Sequence, residues 1–437
     1  MAGSGEFRCD RCGRTFESRE RLEAHWVESH EIERAETIGC DECGTEFDAR
    51  GQLDKHKREQ HPTSERPRGS RRPMTRSRTA AAPPFTLERI GVLMSSDSTI
   101  AEEVEGVLNP GVARGPDREL YLFPRVVGKG NYSRVGIARV WFDDSGDPTG
   151  VERLGYALEP TEPYELREGG GGCEDPRVTY IEPLRLYVMA YTSLGPTGPR
   201  IALAVSEDLR SWRRLGLVDF QPDPDPVYGV EFDEYHNKDA AFFPLVVDRP
   251  DGTPSLAMIH RPAYTKEDMP HGVTEVRPSI WISYCALPHA QRDVRALGQL
   301  RYHHPLIEPR EPWEELRIGG GAQPVLTRDG WLLIYHGAAG TIPDDPKRPK
   351  RVRYSAGALV VDRSDPRRVL YRSRSPVLDP ETREETEGVV PQVVFPTGAD
   401  DRGDGRVDVY YGMADSFIGA ARLHVPDRLP RAEDAAR

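Results

Sequence analysis

The stretch Gly170-Gly171-Gly172-Cys173-Glu174-Asp175-Pro176-Arg177 sets two adjacent carboxylates and a guanidinium at the end of a glycine run. Glycines let a backbone come close to a ligand, and the proline fixes the turn that follows the carboxylates. A site needs such a set when one carboxyl must carry a proton and a neighbouring arginine must hold an anion. The same residues would equally make a surface turn with an Asp–Arg pair, which contributes little. Other segments bear on the choice. Lys238, Arg261, Arg317 and His336 are cations scattered over distant parts of the chain. Asn109, Arg125, Arg134, Asp239, Tyr354 and Asp415 stand in similarly polar strings, such as Phe123-Pro124-Arg125 and His236-Asn237-Lys238-Asp239. Singly, each reads as a salt bridge or a strand-end hydrogen bond. Gathered beside an acid, they would form a cationic patch for phosphate or another anion. No Walker lysine–hydroxyl pair follows the glycines, which argues against a nucleotide loop.

Gathering them requires a fold that brings distant segments to one point. From residue 87 onward, short β-branched and apolar runs recur between Gly/Pro/Asp turns. They include Glu119–Val127, Arg134–Phe142, Leu186–Thr192, Ile201–Val205, Ser255–His260, Ile280–Ala286, Trp331–His336, Ala356–Val361 and Val407–Tyr411. Long stretches with helical periodicity are scarce, so the pattern predicts antiparallel β-structure. Some 350 residues of short strands are too many for one sandwich, and radial repetition in a β-propeller accommodates them. The string Ser206-Glu207-Asp208-Leu209-Arg210-Ser211-Trp212 reads as a blade corner, with side-chain oxygens capping the turn and the indole packed under it. In such a fold the innermost strands converge on the axis, where a polar pocket can form.

Charge and cysteine usage narrow the class. The chain of 437 residues carries a net charge of −12, with 59 basic residues, only seven of them Lys, against 71 acidic ones. An acidic main domain does not suit nucleic acid or a membrane surface, and the balance suggests a salt-adapted (halophilic) cytoplasm. No apolar run approaches the ~18 residues of a membrane span. Four of the six cysteines fall in Cys9-x2-Cys12-x12-His25-x4-His30 and Cys40-x2-Cys43-x12-His56-x4-His61. Both match Cys2His2 spacing, in which a hairpin gives two thiolates and a helix two imidazoles to one tetrahedral zinc. The expected domains are therefore zinc-finger units at 1–31 and 38–61, an Arg/Pro/Ser-rich linker at 62–86 and the β-domain at 87–437. DNA reading is disfavoured, because the finger segment is net acidic and its base-facing positions are weak for bidentate contacts. A protein-contact or stabilising module is the expectation for the fingers.

The ordered strings Asn109-Pro110, Phe123-Pro124-Arg125, Gly172-Cys173-Glu174-Asp175-Pro176-Arg177, Lys238-Asp239-Ala240, His260-Arg261-Pro262, Ile318-Gly319-Gly320-Gly321, Tyr335-His336-Gly337 and Ala414-Asp415 resemble those of glycoside hydrolase family 130, the β-mannoside phosphorylases and their relatives. The likeness runs over about residues 87–423. It implies a five-bladed propeller with a central sugar site, and inverting phosphorolysis of β-mannosides with inorganic phosphate as co-substrate. It implies that Asp175 is the general acid, acting through the sugar's own 3-hydroxyl. It places Lys238, Arg261, Arg317, His336 and Tyr354 at the phosphate, and Asn109, Arg125, Arg134, Glu174, Asp239 and Asp415 at the sugar. One departure stands out: many phosphorylases of the family carry Arg-Asn where this chain has Lys238-Asp239. The lysine holds phosphate only as a point charge, which leaves an inverting hydrolase as the alternative. A non-catalytic, sugar-sensing zinc-finger regulator is the reading from another class.

Overall fold

The β-branched runs read from the sequence all fall on strands in the computed structural model. It describes residues 84–223, 232–267, 269, 271–342, 351–426 and 428–429, and the backbone of four two-residue strands nearer the N-terminus. Those four pair as Phe7–Arg8 with Thr15–Phe16 and Ile38–Gly39 with Glu46–Phe47. The proposed zinc ligands Cys9, Cys12, His25, His30, Cys40, Cys43, His56 and His61 lie outside the described residues. Residues 1–82 and 342–349 form one compact unit, and the remainder a second. The second begins earlier than position 87, because Phe85 is buried with its ring 5.1 Å from that of Tyr371.

Among the described residues of the second unit, the strands form four mainly antiparallel sheets, the first of eight strands joined at its middle by a short parallel pairing, so that five successive groups each contain an inner strand. The inner strands are Gly106–Arg114, Gly171–Ile181, His236–Phe242, Arg317–Gly320 and Val394–Asp401. The first lies against the second and the fifth, the second against the third, and the third against the fourth. The strand Trp331–Thr341 then carries the contact from the fourth group to the fifth. Five apolar clusters fill the five seams of this ring. Trp281 and Leu203 share one seam, for example, and Tyr410 and Leu122 share another. Apolar burial between successive sheets is the main cohesive force. The fifth group is completed from the other end of the chain, since Leu87–Ser95 pairs with Phe417–His424.

The Ser206–Trp212 string folds as its composition predicts. Asp208 accepts from the N–H groups of Arg210 and Ser211, Ser206 from that of Leu209, and Trp212 stacks edge-on to Phe123. The glycine run does something else. Gly171 and Gly172 pair in parallel with Tyr132 and Ser133 of the first group, and a Cβ on Gly172 would lie 2.1 Å from the Ser133 carbonyl. Its glycines therefore serve the close approach of two sheets. No helix among the described residues is long and apolar enough to cross a membrane.

Three buried glutamates repeat one device. Glu165, Glu314 and Glu385 sit in short turns just ahead of the second, fourth and fifth inner strands, each fully buried. Each accepts from two backbone N–H groups of its own turn. Each also accepts from a tyrosine of the group's second strand, namely Tyr191, Tyr335 or Tyr411, at 2.7–2.9 Å. A guanidinium of the outermost strand, from Arg214, Arg372 or Arg89, completes each clasp. Burial pushes the Glu165 and Glu385 carboxyls up, but the arginine, tyrosine and backbone donors hold both below the ordinary glutamate value. In the fifth group the arginine comes from the N-terminal strand, so this clasp also holds the ring closed.

Removing one partner of a buried pair leaves an uncompensated charge. Arg89→Met should therefore destabilise the protein by about 3 kcal/mol in urea unfolding, and adding Glu385→Gln should restore part of that loss. Because the Glu165 and Glu385 carboxyls are depressed, the contribution of these two clasps is intact at neutral pH. It should fade as pH falls below the ordinary glutamate value of 4.5.

Candidate active site

Four of the five inner strands carry a register bulge at corresponding places: between Leu108 and Gly111, Glu174 and Arg177, Lys238 and Ala241, and Pro396 and Gly398. In three of them a bulge residue is left-handed, Asn109 at φ 45°, Asp175 at φ 46° and Asp239 at φ 57°. A bulge gives two residues to one partner position and re-aims a side chain. Here it presents an amide and two carboxyls from three different groups. Asp415, at φ 52°, is brought in by the turn between Arg406–Met413 and Phe417–His424.

Asn109, Arg125, Asp175, Lys238, Arg317, Tyr354 and Asp415 line one cavity of about 610 Å³. Asp175 Oδ1 accepts from Asn109 Nδ2 at 2.8 Å and from Arg125 Nη1 at 3.3 Å, while Lys238 Nζ stands 3.7 Å from Oδ2. Arg125 also donates to Glu174 at 2.6 Å and to Ser133 Oγ at 2.9 Å, which locks its fork in place. Arg177 does not face the cavity. It is buried and spans two groups, donating to the carbonyls of Gly320, Gly321 and Asp175.

A second layer adjoins the cavity. Asp239 is fully buried, accepts from Arg261 Nε at 2.6 Å, and lies 3.5 Å from both Arg177 Nη2 and His336 Nε2. The His336 ring stacks at 4.2 Å on Phe395, which lines the cavity, and sits 6.0 Å from the Tyr354 ring. The Arg317 guanidinium lies 5.9 Å from the face of Tyr354. Eleven of the twelve expected site residues, Asp175 included, are thus brought together. Arg134 is not: it reaches outward to Glu159 at 3.4 Å and does not line the cavity. Ser133 faces Arg125, so strand alternation turns its neighbour to the opposite face. Phe395 stands in the string Val394-Phe395-Pro396-Thr397-Gly398, which shares in the family 130 resemblance, but the sequence assigns it no site role. Among the described residues no group of three or more His, Cys, Asp or Glu could hold a metal ion.

The fields in this site oppose one another. Burial pushes Asp175 up, but Arg125, Lys238, Arg177 and the Asn109 amide bring it below the usual carboxylate range. Asp239 is held well below that range, its burial outweighed by Arg261, His336 and Arg177. Asp415 is pushed up to about 6 by burial, which the pull of Arg125 offsets only in part and which the charge of Asp175 reinforces. His336 is pushed down to about 3, because burial outweighs the neighbouring Asp239. Among the protein groups themselves, Asp175 and Asp239 are therefore ionised at neutral pH beside a neutral imidazole.

This is an acid-and-cation constellation of the kind that handles glycosidic bonds and anions. A family model described as beta-1,4-mannooligosaccharide phosphorylase matches residues 78–429. The chain belongs to glycoside hydrolase family 130. A model of the C2H2 zinc finger matches residues 7–30. Among family 130 relatives, the 1,2-beta-oligomannan phosphorylase of Thermoanaerobacter sp. (strain X514) is 33% identical over 292 residues, spanning 63% of this chain and 80% of that protein. The beta-1,2-mannobiose phosphorylase of the same organism is 30% identical over 285 residues, spanning 62% and 76%. A glycosyl hydrolase from Bacteroides ovatus shares the fold, with a TM-score of 0.56 at 22% identity, over 79% of this chain and 95% of that one.

The family 130 site depends on one very close approach. A Cβ on Gly319 would lie 2.3 Å from Asp239 Oδ2 and 2.5 Å from the His336 ring. Gly319→Ala should drive these two apart and raise the KM for the anionic substrate by at least about 10-fold, since misplacing a binding group by about 1 Å is costly. Steady-state kinetics against anion concentration, with circular dichroism to confirm the fold, test this.

Proposed function

We propose that this protein cleaves β-mannosides by inverting phosphorolysis, with Asp175 as general acid and Lys238, Arg261, Arg317, His336 and Tyr354 as the phosphate cradle. We read the five groups around one centre as the blades of a five-bladed propeller whose axis carries the site. The observation that carries the reading is the placing of the Asp175 carboxyl on one cavity with Lys238 and Arg317, backed by Arg261 and His336.

A phosphate oxygen attacks the anomeric carbon from the face opposite the departing oxygen. The bond to the aglycone breaks, and Asp175 supplies the proton that the departing oxygen takes up. The products are a sugar 1-phosphate of inverted configuration and a free alcohol, and one acid is sufficient because phosphate replaces the water of an inverting hydrolase. Asp175 must hold a proton to act, and without an anion beside it the carboxyl is ionised. Arg125 holds it so first, then Lys238 and Arg177; of these, Lys238, 3.7 Å from the carboxyl, is the one in the proposed cradle. Its neutralisation by an arriving phosphate removes part of that hold and raises the carboxyl toward protonation. Arg125 and Asn109 keep the carboxyl aimed, while Glu174 and Asp415 complete the polar wall offered to the sugar.

The Cys2His2 sets are proposed to hold structural Zn2+; the thiolate and imidazole pattern suits a closed tetrahedral site, and protein contact is its proposed use. Hydrolysis is the second reading, and Asp239 favours it, because a carboxylate already occupies Arg261 inside the cradle.

Incubating the protein with β-mannobiose should release mannose 1-phosphate in proportion to added phosphate. Asp175→Asn should lower kcat by about 10²- to 10⁴-fold on unactivated substrates with the fold intact. Free mannose formed at a rate indifferent to phosphate would transfer the assignment to hydrolysis.

A further inference from the structure

His336 is almost completely buried, and neither ring nitrogen has a hydrogen-bond partner among the described residues. Such orphaned polar atoms are costly in a core unless a ligand or a change of charge satisfies them. The groups facing the ring come from every element around it. Asp239 and Lys238 stand on His236–Phe242, Arg261 on Pro254–Ala263, Arg177 on Gly171–Ile181 and Tyr354 on Arg351–Val361, with the Phe395 ring against one face. Asp239 Oδ2 is 3.5 Å from Nε2, but that oxygen is already held by Arg261 at 2.6 Å. In the empty site the cations outnumber the single carboxylate facing the ring, and the imidazole stays neutral.

We propose that Asp239 makes His336 the proton acceptor of the cradle, so that seating a dianion there is coupled to uptake of about one proton by the imidazole. This rests on the reading of the cradle given above. A dianion placed among Lys238, Arg261 and Arg317 cancels the charges that oppose protonation, leaving the ring between two negative groups, the ligand and Asp239. An opposite charge within hydrogen-bonding range favours the charged form of a buried base. The proton comes from solvent, and no covalent bond changes. Once charged, the ring donates from both nitrogens, Nε2 toward Asp239 and Nδ1 as a donor that no group among the described residues engages. An amide at position 239 would supply the hydrogen bond but not the charge, so the carboxylate rather than its shape carries the effect. Asp239 acts here as a positioning residue through His336.

Sulfate is the decisive probe, because it stays dianionic near neutrality and cannot itself take up the proton. Calorimetric titration of the full-length protein with sulfate at about pH 5.5, where sulfate is still a dianion, in buffers of different ionisation heat, should show proton uptake approaching one per anion bound. Both variants should bind sulfate more weakly; titrated to saturation, Asp239→Asn should take up less than about half a proton per anion and His336→Asn none. Binding to the wild-type protein without uptake overturns this proposal while leaving the cradle standing. Uptake that persists in His336→Asn also overturns it and assigns the proton to Asp415, the other cavity group poised to gain one. If wild-type protein binds neither sulfate nor phosphate, the cradle and the proposal fall together.

Discussion

The site depends on a backbone constraint before it depends on any charge. Asn109, Asp175 and Asp239 are held left-handed within bulges of three inner strands. For non-glycine residues such conformations cost of order 1–3 kcal/mol each and persist only where the surroundings over-determine them. In this ring the surroundings are neighbouring inner strands and the Arg177 strut, whose guanidinium ties the second group to carbonyls of the fourth. The bulges turn side chains that would otherwise alternate between faces into a shared cluster. Asp175, Lys238 and Asn109 meet across the boundaries between groups because of it.

The electrostatics follow from that convergence. Three carboxyls, Glu174, Asp175 and Asp415, share the field of Arg125, while Asp239 is shared among Arg261, Arg177 and His336. Burial alone would push Asp175, Asp239 and Asp415 up, and the cations alone would pull all three down. The compromise holds Asp175 below the usual carboxylate range and leaves Asp415 pushed up to about 6. A site balanced in this way responds to an incoming anion by moving protons, which is the property an acid catalyst paired with phosphate requires.

Much of this was legible in the chain. The outer strands are β-branched and alternate, so their positions read directly from pattern. The inner strands did not, because Gly106–Arg114, Gly171–Ile181 and Val394–Asp401 carry prolines and buried polar residues where periodicity predicts apolar ones. The proline after Asp175 reads as a turn and is instead part of a bulge inside a strand. The glycines before it read as room for a ligand, and instead let two sheets touch at Gly172. Arg134 failed as a site residue because composition cannot say which face of a strand a side chain takes. The Glu165, Glu314 and Glu385 clasps were present as repeated turns rich in Glu and Pro or Thr. Their meaning depended on tyrosines and arginines far away in sequence.

The last group is stitched from both ends of the chain, with Leu87–Ser95 as its outermost strand. During synthesis this segment leaves the ribosome long before Phe417–His424 exists to receive it. Until then it is an unpaired edge of the kind that recruits foreign strands. The ring consequently cannot mature group by group to completion. It waits on the final hairpin, and a chain cut short near its C-terminus would leave both an open seam and a stray strand.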